Sequence, residues 1–361
     1  MKAIGNRNPD WTKVIARRTT AIGSLPHHNI DTALEYSFKF GVPFLPQIPI
    51  RNPSEFMIAQ ALEGLPGLLL QDDQESGGVC LDLNTWKAQS HILEIKLKKA
   101  FDDIENPEAF HSFEPSAIAS SCWKPFLWEL EERNLKIAKI QIMGPLTGQW
   151  VLTVKNSPKD FEKDPNLTTQ IFQLILAKSL AMTRRMISSG IQPILYLDEP
   201  GFYLLNLKHP RHVLALQELK LVIQTLRREG AIVGLHCCSN TVWESVLELG
   251  LDILSIDTAL SLKSALISLQ GEAIKTYLEK GGIFSFGIIP TGRPSSLPSL
   301  DSRNITDQTL AVLVEHLDSA TLHLVLQSSF FTPACGLGLH SNFEAEFILE
   351  KLNEVYACFT T

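Results

Sequence analysis

The stretch Gly234-Leu235-His236-Cys237-Cys238-Ser239-Asn240 sets an imidazole and two thiols at the end of the apolar run Ala231-Ile232-Val233. Thr241 to Leu249 follows with an amphipathic pattern, so the segment predicts strand, turn and helix. Along an extended chain, residues two apart share a face. His236 and Cys238 therefore point together, and Cys237 points to the other side. One imidazole with one thiol is half of a zinc (Zn2+) site. Candidates for the rest are Asp257, in Ile256-Asp257-Thr258, and Cys335, in Pro333-Ala334-Cys335-Gly336. Two thiolates and an imidazole suit zinc better than magnesium or iron, and three protein ligands leave a fourth position for water or substrate. Asp257 is expected either to take that position at rest or to orient the His236 ring. Cys80, Cys122 and Cys358 read as small core or surface residues, and Cys237 as packing against a helix.

These residues need a scaffold that brings distant strand ends together. Eight strand-like runs occur: Thr19 to Gly23, Val42 to Ile48, Ile137 to Met143, Pro193 to Leu197, Ala231 to His236, Leu251 to Ile256, Ile283 to Ile288 and Leu322 to Leu326. Helical patterns lie between most of them, including one capped by Asp31, one from Ser54, and those of Asp160 to Ser189 and Pro210 to Arg228. The pattern predicts an α/β fold, a single (β/α)8 TIM barrel over residues 19–361 with 1–18 as a lead-in. Residues 64–136 break the rhythm and are expected to form an elaboration between strands two and three. Gly77-Gly78-Val79-Cys80-Leu81 is expected there as part of a small hairpin. The reactive residues follow the strands' outgoing ends, where barrel enzymes keep their chemistry. A doubly wound open sheet fits less well, since no Gly-x-Gly-x-x-Gly turn or Gly-Lys-Ser/Thr loop follows a strand.

Composition narrows the function classes. The chain has 361 residues and a net charge of -7, so it has no general attraction for nucleic acid or anionic membranes. No apolar run is long enough to span a bilayer, and Met1 to Arg18 lacks the apolar core of a secretory signal. Six cysteines, two of them adjacent, do not resemble a disulfide framework. The expected setting is a reducing cytoplasm.

An ordered set of motifs resembles the catalytic barrel of cobalamin-independent methionine synthase and its short relatives, in the superfamily that includes uroporphyrinogen decarboxylase. They are Ile22-Gly23-Ser24-Leu25-Pro26, Gly144-Pro145-Leu146-Thr147, Leu197-Asp198-Glu199-Pro200, His236 with Cys238, Ile256-Asp257-Thr258 and Pro333-Ala334-Cys335-Gly336-Leu337. The resemblance implies methyl transfer to a zinc-bound thiol, with homocysteine to methionine as the leading case. It implies His236, Cys238 and Cys335 as metal ligands, with Asp257 where the family has a zinc-binding glutamate. Asp198 would contact the acceptor's amino group, and Gly23 with Ser24 its carboxylate. Gln47 stands nearest to an acidic residue that helps bind the amino acid in the family, and Glu199 is a further candidate for substrate contact. A free thiol has a pKa near about 8.5, and zinc keeps it as thiolate at neutral pH.

The sequence departs from the family at Gln47 and after the seventh strand. There Phe286-Gly287-Ile288-Ile289-Pro290 carries no histidine where the family has a catalytic one. The long N-terminal half of the full-length enzymes has no counterpart either. The methyl donor is therefore left as a methyl-folate or a methyl-corrinoid, the latter free or held on a corrinoid protein. His27 and His28 are rim histidines, read as helix caps or as alternative proton sources. Two other functions are weighed. A uroporphyrinogen decarboxylase-like enzyme would need an arginine cluster, for which Arg51 and Arg293 are the visible candidates. A non-catalytic zinc or corrinoid-partner protein would need no turnover.

Overall fold

Runs such as Ile-Ala-Lys-Ile-Gln-Ile-Met and Gln-Pro-Ile-Leu-Tyr-Leu-Asp are apolar almost throughout, as expected of strands covered on both faces. A computed structural model describes residues 14–15, 18–70, 78–155, 164–292 and 300–360. Its strands are β1 (Arg18–Thr19), β2 (Leu68–Leu70), β3 (Val79–Leu81), β4 (Ile137–Met143), β5 (Thr153–Val154), β6 (Gln192–Asp198), β7 (Ile232–Cys237), β8 (Ile253–Asp257), β9 (Ile283–Ile289) and β10 (Phe330–Pro333). Seven form one parallel sheet in the order β1-β10-β9-β8-β7-β6-β4. The sheet curls into a half-barrel, with helices between successive strands from β4 onward.

The curl gives the sheet an inner face with its own layers. Ile194, Ile232, Ile253, Ile283 and Phe330 pack with Val42 and Ile15 into an apolar floor. Two residues further along the same face come Tyr196, Gly234, Ser255 and Ser285, and two further still Asp198, His236, Asp257 and Gly287. Hydrocarbon below thus gives way to polar side chains at the outgoing ends. The larger core lies outside the sheet, between strands and helices such as Pro165–Ser188 and Pro210–Arg228.

Several sequence expectations are corrected. Leu322 to Leu326 is not a strand: it lies inside the helix Ser319–Ser328, whose cap Asp318 accepts from Ala320 and Thr321 N–H. The last strand is β10, which follows at once. Val42 to Ile48 forms isolated bridges, Phe44 with Lys139 and Gln47 with Ser24, rather than a regular strand. Pro43 and Pro46 have no N–H to give a ladder, which accounts for the interruption. The helix Ile30–Ser37 is capped by Asn29 and not by Asp31. From Ser54 there is a 3-10 turn, Pro53–Glu55, and then a short helix, Met57–Ala61. The helix predicted from Asp160 runs Pro165–Ser188, capped by Asp164, and 160–163 lie outside the described residues. The lead-in falls mostly outside them as well.

In 64–136, β2 and β3 pair antiparallel, and β3 pairs parallel with β5 from beyond the segment. Gly77 lies outside the described residues. Helix Leu83–Asp102 and the 3-10 helix Pro107–Phe113 pack on helix Pro165–Ser188. Among the described residues, no helix is long and apolar enough to cross a membrane.

Candidate metal centre

β7 carries His236 inward and Cys237 outward, as its pleat requires. Cys237 is fully buried in the outer core, and Cys238 stands just past the strand end. Cys335 arrives from β10. The register there slips between Thr332 and Pro333, and Ala334 N–H donates to Ile289 O at 2.9 Å. This slip turns the chain over Gly287, where a Cβ would stand 2.8 Å from Ala334 Cα. Beyond it, Leu337 N–H donates to Ser24 O at 2.7 Å, and Gly338 N–H to Ser24 Oγ at 3.3 Å. The loop after β10 is thereby fastened to the loop after β1.

The outcome is a set of three soft donors: the ligand atoms of His236, Cys238 and Cys335 all lie within 4.8 Å of one another. His236 Nδ1 sits 3.1 Å from Ser255 Oγ, which fixes the ring. Its Nε2 is buried and has no hydrogen-bond partner. Cys335 and then His236 pull the Cys238 thiol well below its ordinary value, while Cys335 is pushed up by Cys238 and by burial. A buried imidazole nitrogen without a partner, beside two converging cysteine sulfurs, is a soft donor set, and a soft divalent cation of zinc's kind fits it.

Asp257 is not within this set. Its Oδ1 accepts from Ala259 N–H at 2.9 Å and Leu260 N–H at 3.0 Å, which caps the turn after β8. Burial raises its carboxyl pKa. Asp198, opposite His236 in the register, is buried with Oδ1 unpartnered. Burial also raises its pKa, and His236 and Lys139 oppose that shift. Glu199 spends both oxygens on the helix that follows β4, Pro145–Val151. Oε1 accepts from Leu146 N–H at 2.9 Å, and Oε2 from Thr147 N–H at 2.7 Å and Thr147 Oγ1 at 2.6 Å. Gly144 is tightly packed there, since a Cβ would meet Glu199 Oε1 at 2.1 Å.

Gly23, Ser24 and Gln47 form one patch. Gln47 N–H donates to Gly23 O at 3.0 Å, and Leu25 N–H to Gln47 O at 2.8 Å. Gln47 Nε2 donates to Gln60 Oε1 at 2.6 Å. Gly23 has φ +151, and a Cβ there would stand 2.3 Å from Gln141 Nε2. His27 is buried against Tyr36 with Nδ1 unpartnered, and burial lowers its pKa. Arg293 lies outside the described residues. Sequence reasoning passed over Ser255, Lys139, Gln141 and Gln60. A lysine and a glutamine two apart inside an apolar strand were a readable signal for an inward polar pair.

No family model matches the sequence, and no curated protein matches it. Solved structures do. One is described as a methyltransferase from Methanosarcina mazei, with a TM-score of 0.52 and 14% identity, covering 92% of this chain and 87% of that one. At that identity the likeness is one of fold. Another is a B12-independent methionine synthase from Shewanella sp. W3-18-1 in complex with selenomethionine, with a TM-score of 0.46 and 13% identity. That match covers 64% of this chain and 66% of the synthase chain, so this chain spans just under two thirds of the synthase's length.

Proposed function

We propose that this chain is a zinc-dependent S-methyltransferase that moves a methyl group to a small thiol, with homocysteine to methionine as the leading case. The observation that carries the reading is the convergence of His236, Cys238 and Cys335 within 4.8 Å, with His236 Nε2 buried and unpartnered. In this reading the segment 42–47 completes a (β/α)8 barrel between β1 and β4. Zinc held by these three residues would keep an acceptor sulfur as thiolate at neutral pH and fix it in place. Asp198, with its free Oδ1, would take the acceptor's amino group, and Gly23 with Ser24 its carboxylate. Gln47 would complete the patch as a neutral group, while Glu199 serves as the cap of helix Pro145–Val151. Asp257 would shape the rim from the turn after β8. The donor is a methyl-folate or a methyl-corrinoid. The acceptor thiol gives up its proton on binding, the methyl passes to the thiolate sulfur, and the bonding pair stays with the donor, on cobalt for a corrinoid or on a nitrogen that takes up a proton for a folate.

Metal analysis of the freshly purified chain tests the reading. The expected result is stoichiometric zinc, lost in each of His236→Ala, Cys238→Ala and Cys335→Ala. Methyl transfer is then assayed from methylcobalamin and from methyl-folate to a panel of thiols. A purified protein that carries no zinc and takes none up would overturn the reading.

A further inference from the structure

Lys139 is the third residue of β4, on the sheet's inner face, and is fully buried. Methionine or leucine would fill the same space without the cost of taking an ammonium out of water. Its surroundings are specific. Nζ donates to Ile22 O at 2.5 Å and to Gln141 Oε1 at 3.1 Å, and lies 4.6 Å from the centre of the Tyr196 ring. Ile22 is the residue before Gly23-Ser24. Gln141 passes the linkage on, since its Nε2 donates to Leu45 O at 2.8 Å, two residues before Gln47. The Gln141 side chain also fills the space that a Cβ on Gly23 would claim. One buried amine thus ties the loop after β1, the 42–47 segment and β4 together where Ser24 meets Gln47. Burial pulls the Lys139 pKa down to about 7, and Asp198, whose Oδ1 has no hydrogen-bond partner, opposes that shift. None of these bonds involves His236, Cys238 or Cys335, which stand on β7 and past β10.

We infer that Lys139 is a positioning residue for the amino-acid end of the acceptor. By holding Ile22 O and Gln141, it sets the Gly23-Ser24 and Gln47 patch opposite Asp198, and so lets the site prefer an amino-acid thiol over a plain one. The inference rests on the proposed methyltransferase reading and deepens it. A site with fixed polar groups rejects ligands lacking the matching groups, and loses that discrimination when those groups are displaced.

The test uses the full chain loaded with cobalt(II) in place of zinc. Its absorption reports metal uptake and, separately, the entry of a sulfur ligand. Homocysteine and mercaptoethanol are titrated into wild type, Lys139→Met and Lys139→Gln. Wild type should bind homocysteine more tightly than mercaptoethanol. Lys139→Met should keep its cobalt and its mercaptoethanol affinity but lose roughly tenfold or more in homocysteine affinity. Lys139→Gln, which keeps a donor for Ile22 O, should recover part of the preference. If Lys139→Met does not fold, Lys139→Gln alone is judged, by a smaller loss of the same selectivity. An unchanged preference, an equal loss for both thiols, or loss of cobalt from the variant would each overturn the inference. Wild type that takes up no cobalt, or whose spectrum no thiol alters, would instead overturn the reading beneath it.

Discussion

Glu199 and Asp198 are neighbours in the chain, yet they have opposite surroundings. Asp198 keeps an oxygen without a partner, whereas Glu199 is surrounded by donors from Leu146 and Thr147. Burial nevertheless raises the Glu199 pKa from 4.5 to about 7, against the pull of those donors. The sign of the consequence follows. A carboxyl whose folded pKa is raised contributes its stability fully below the unfolded pKa and loses it as pH rises through the folded value. Between pH 4.5 and about 7, wild type should lose on the order of 3 kcal/mol of unfolding free energy relative to Glu199→Gln. Urea unfolding of both proteins at several pH values in that window checks it. A constant difference between them would show that Glu199 is ionised throughout. At this scale the sequence was informative wherever spacing along one strand decides direction. His236 and Cys238 had to share a face, and Cys237 had to oppose them. It was silent on Ser255, because that contact depends on the register of β8 against β7. It also could not separate the roles of Asp198 and Glu199, which depend on where a neighbouring helix begins.

At the scale of elements, six of the eight strand-like runs lie on or next to sheet strands, because their apolar residues are buried on both faces. Of the two remaining runs, Val42 to Ile48 meets both sheet edges through isolated bridges without forming a regular strand, and Leu322 to Leu326 is helix, each for an identifiable reason. Leu322-His323-Leu324-Val325-Leu326 is as apolar as a strand, but Asp318 caps it as a helix, and only Val325 of the five is deeply buried. The true strand, Phe330–Pro333, is four residues long and was overshadowed by its neighbour. Its placement matters because it delivers Cys335. Gly287 makes that delivery possible. A Cβ there would stand 2.8 Å from Ala334 Cα, 3.3 Å from Ile256 O and 3.4 Å from Asp257 Cα, all of them backbone atoms. Gly287→Ala should therefore cost about 1–3 kcal/mol of stability and weaken zinc binding by moving Cys335 outward. Gly271→Ala is the control. It has no atom within 4 Å of its Cβ position and directly follows the kink at Gln270 (φ 57) within Leu262–Glu279, so alanine there should be neutral to within about 0.5 kcal/mol. Thermal unfolding with competitive zinc titration separates the two effects. Normal zinc affinity in Gly287→Ala would remove this glycine from the account of the metal centre.

For the whole molecule, the question is what covers the two edges of the seven-stranded sheet. β1 and β4 would each expose unpaired N–H and C=O groups, which proteins seldom leave open. The 42–47 segment lies between them and bonds to both sides. Val42 N–H donates to Thr19 O at 2.9 Å and Gln47 N–H to Gly23 O at 3.0 Å. On the other side, Leu45 N–H donates to Lys139 O and Lys139 N–H to Pro43 O, both at 2.8 Å. Phe44, fully buried and edge-on to Phe40 at 5.2 Å, anchors the segment in the outer core. Glu55 adds a clamp by accepting from Ile48 N–H at 3.0 Å. A segment held on both flanks should open only with the sheet itself, whatever its two prolines do to its regularity. Native-state hydrogen exchange then has a definite expectation. The amides of Leu45, Gln47 and Lys139 should exchange as slowly as those in the middle of β6, β7 and β8, with the same dependence on denaturant. Fast exchange at Leu45 and Gln47 beside slow exchange in β7 would mean an open half-barrel with a loosely laid flap. The Ser24–Gln47 patch would then be mobile, although the cysteines and His236 stood firm.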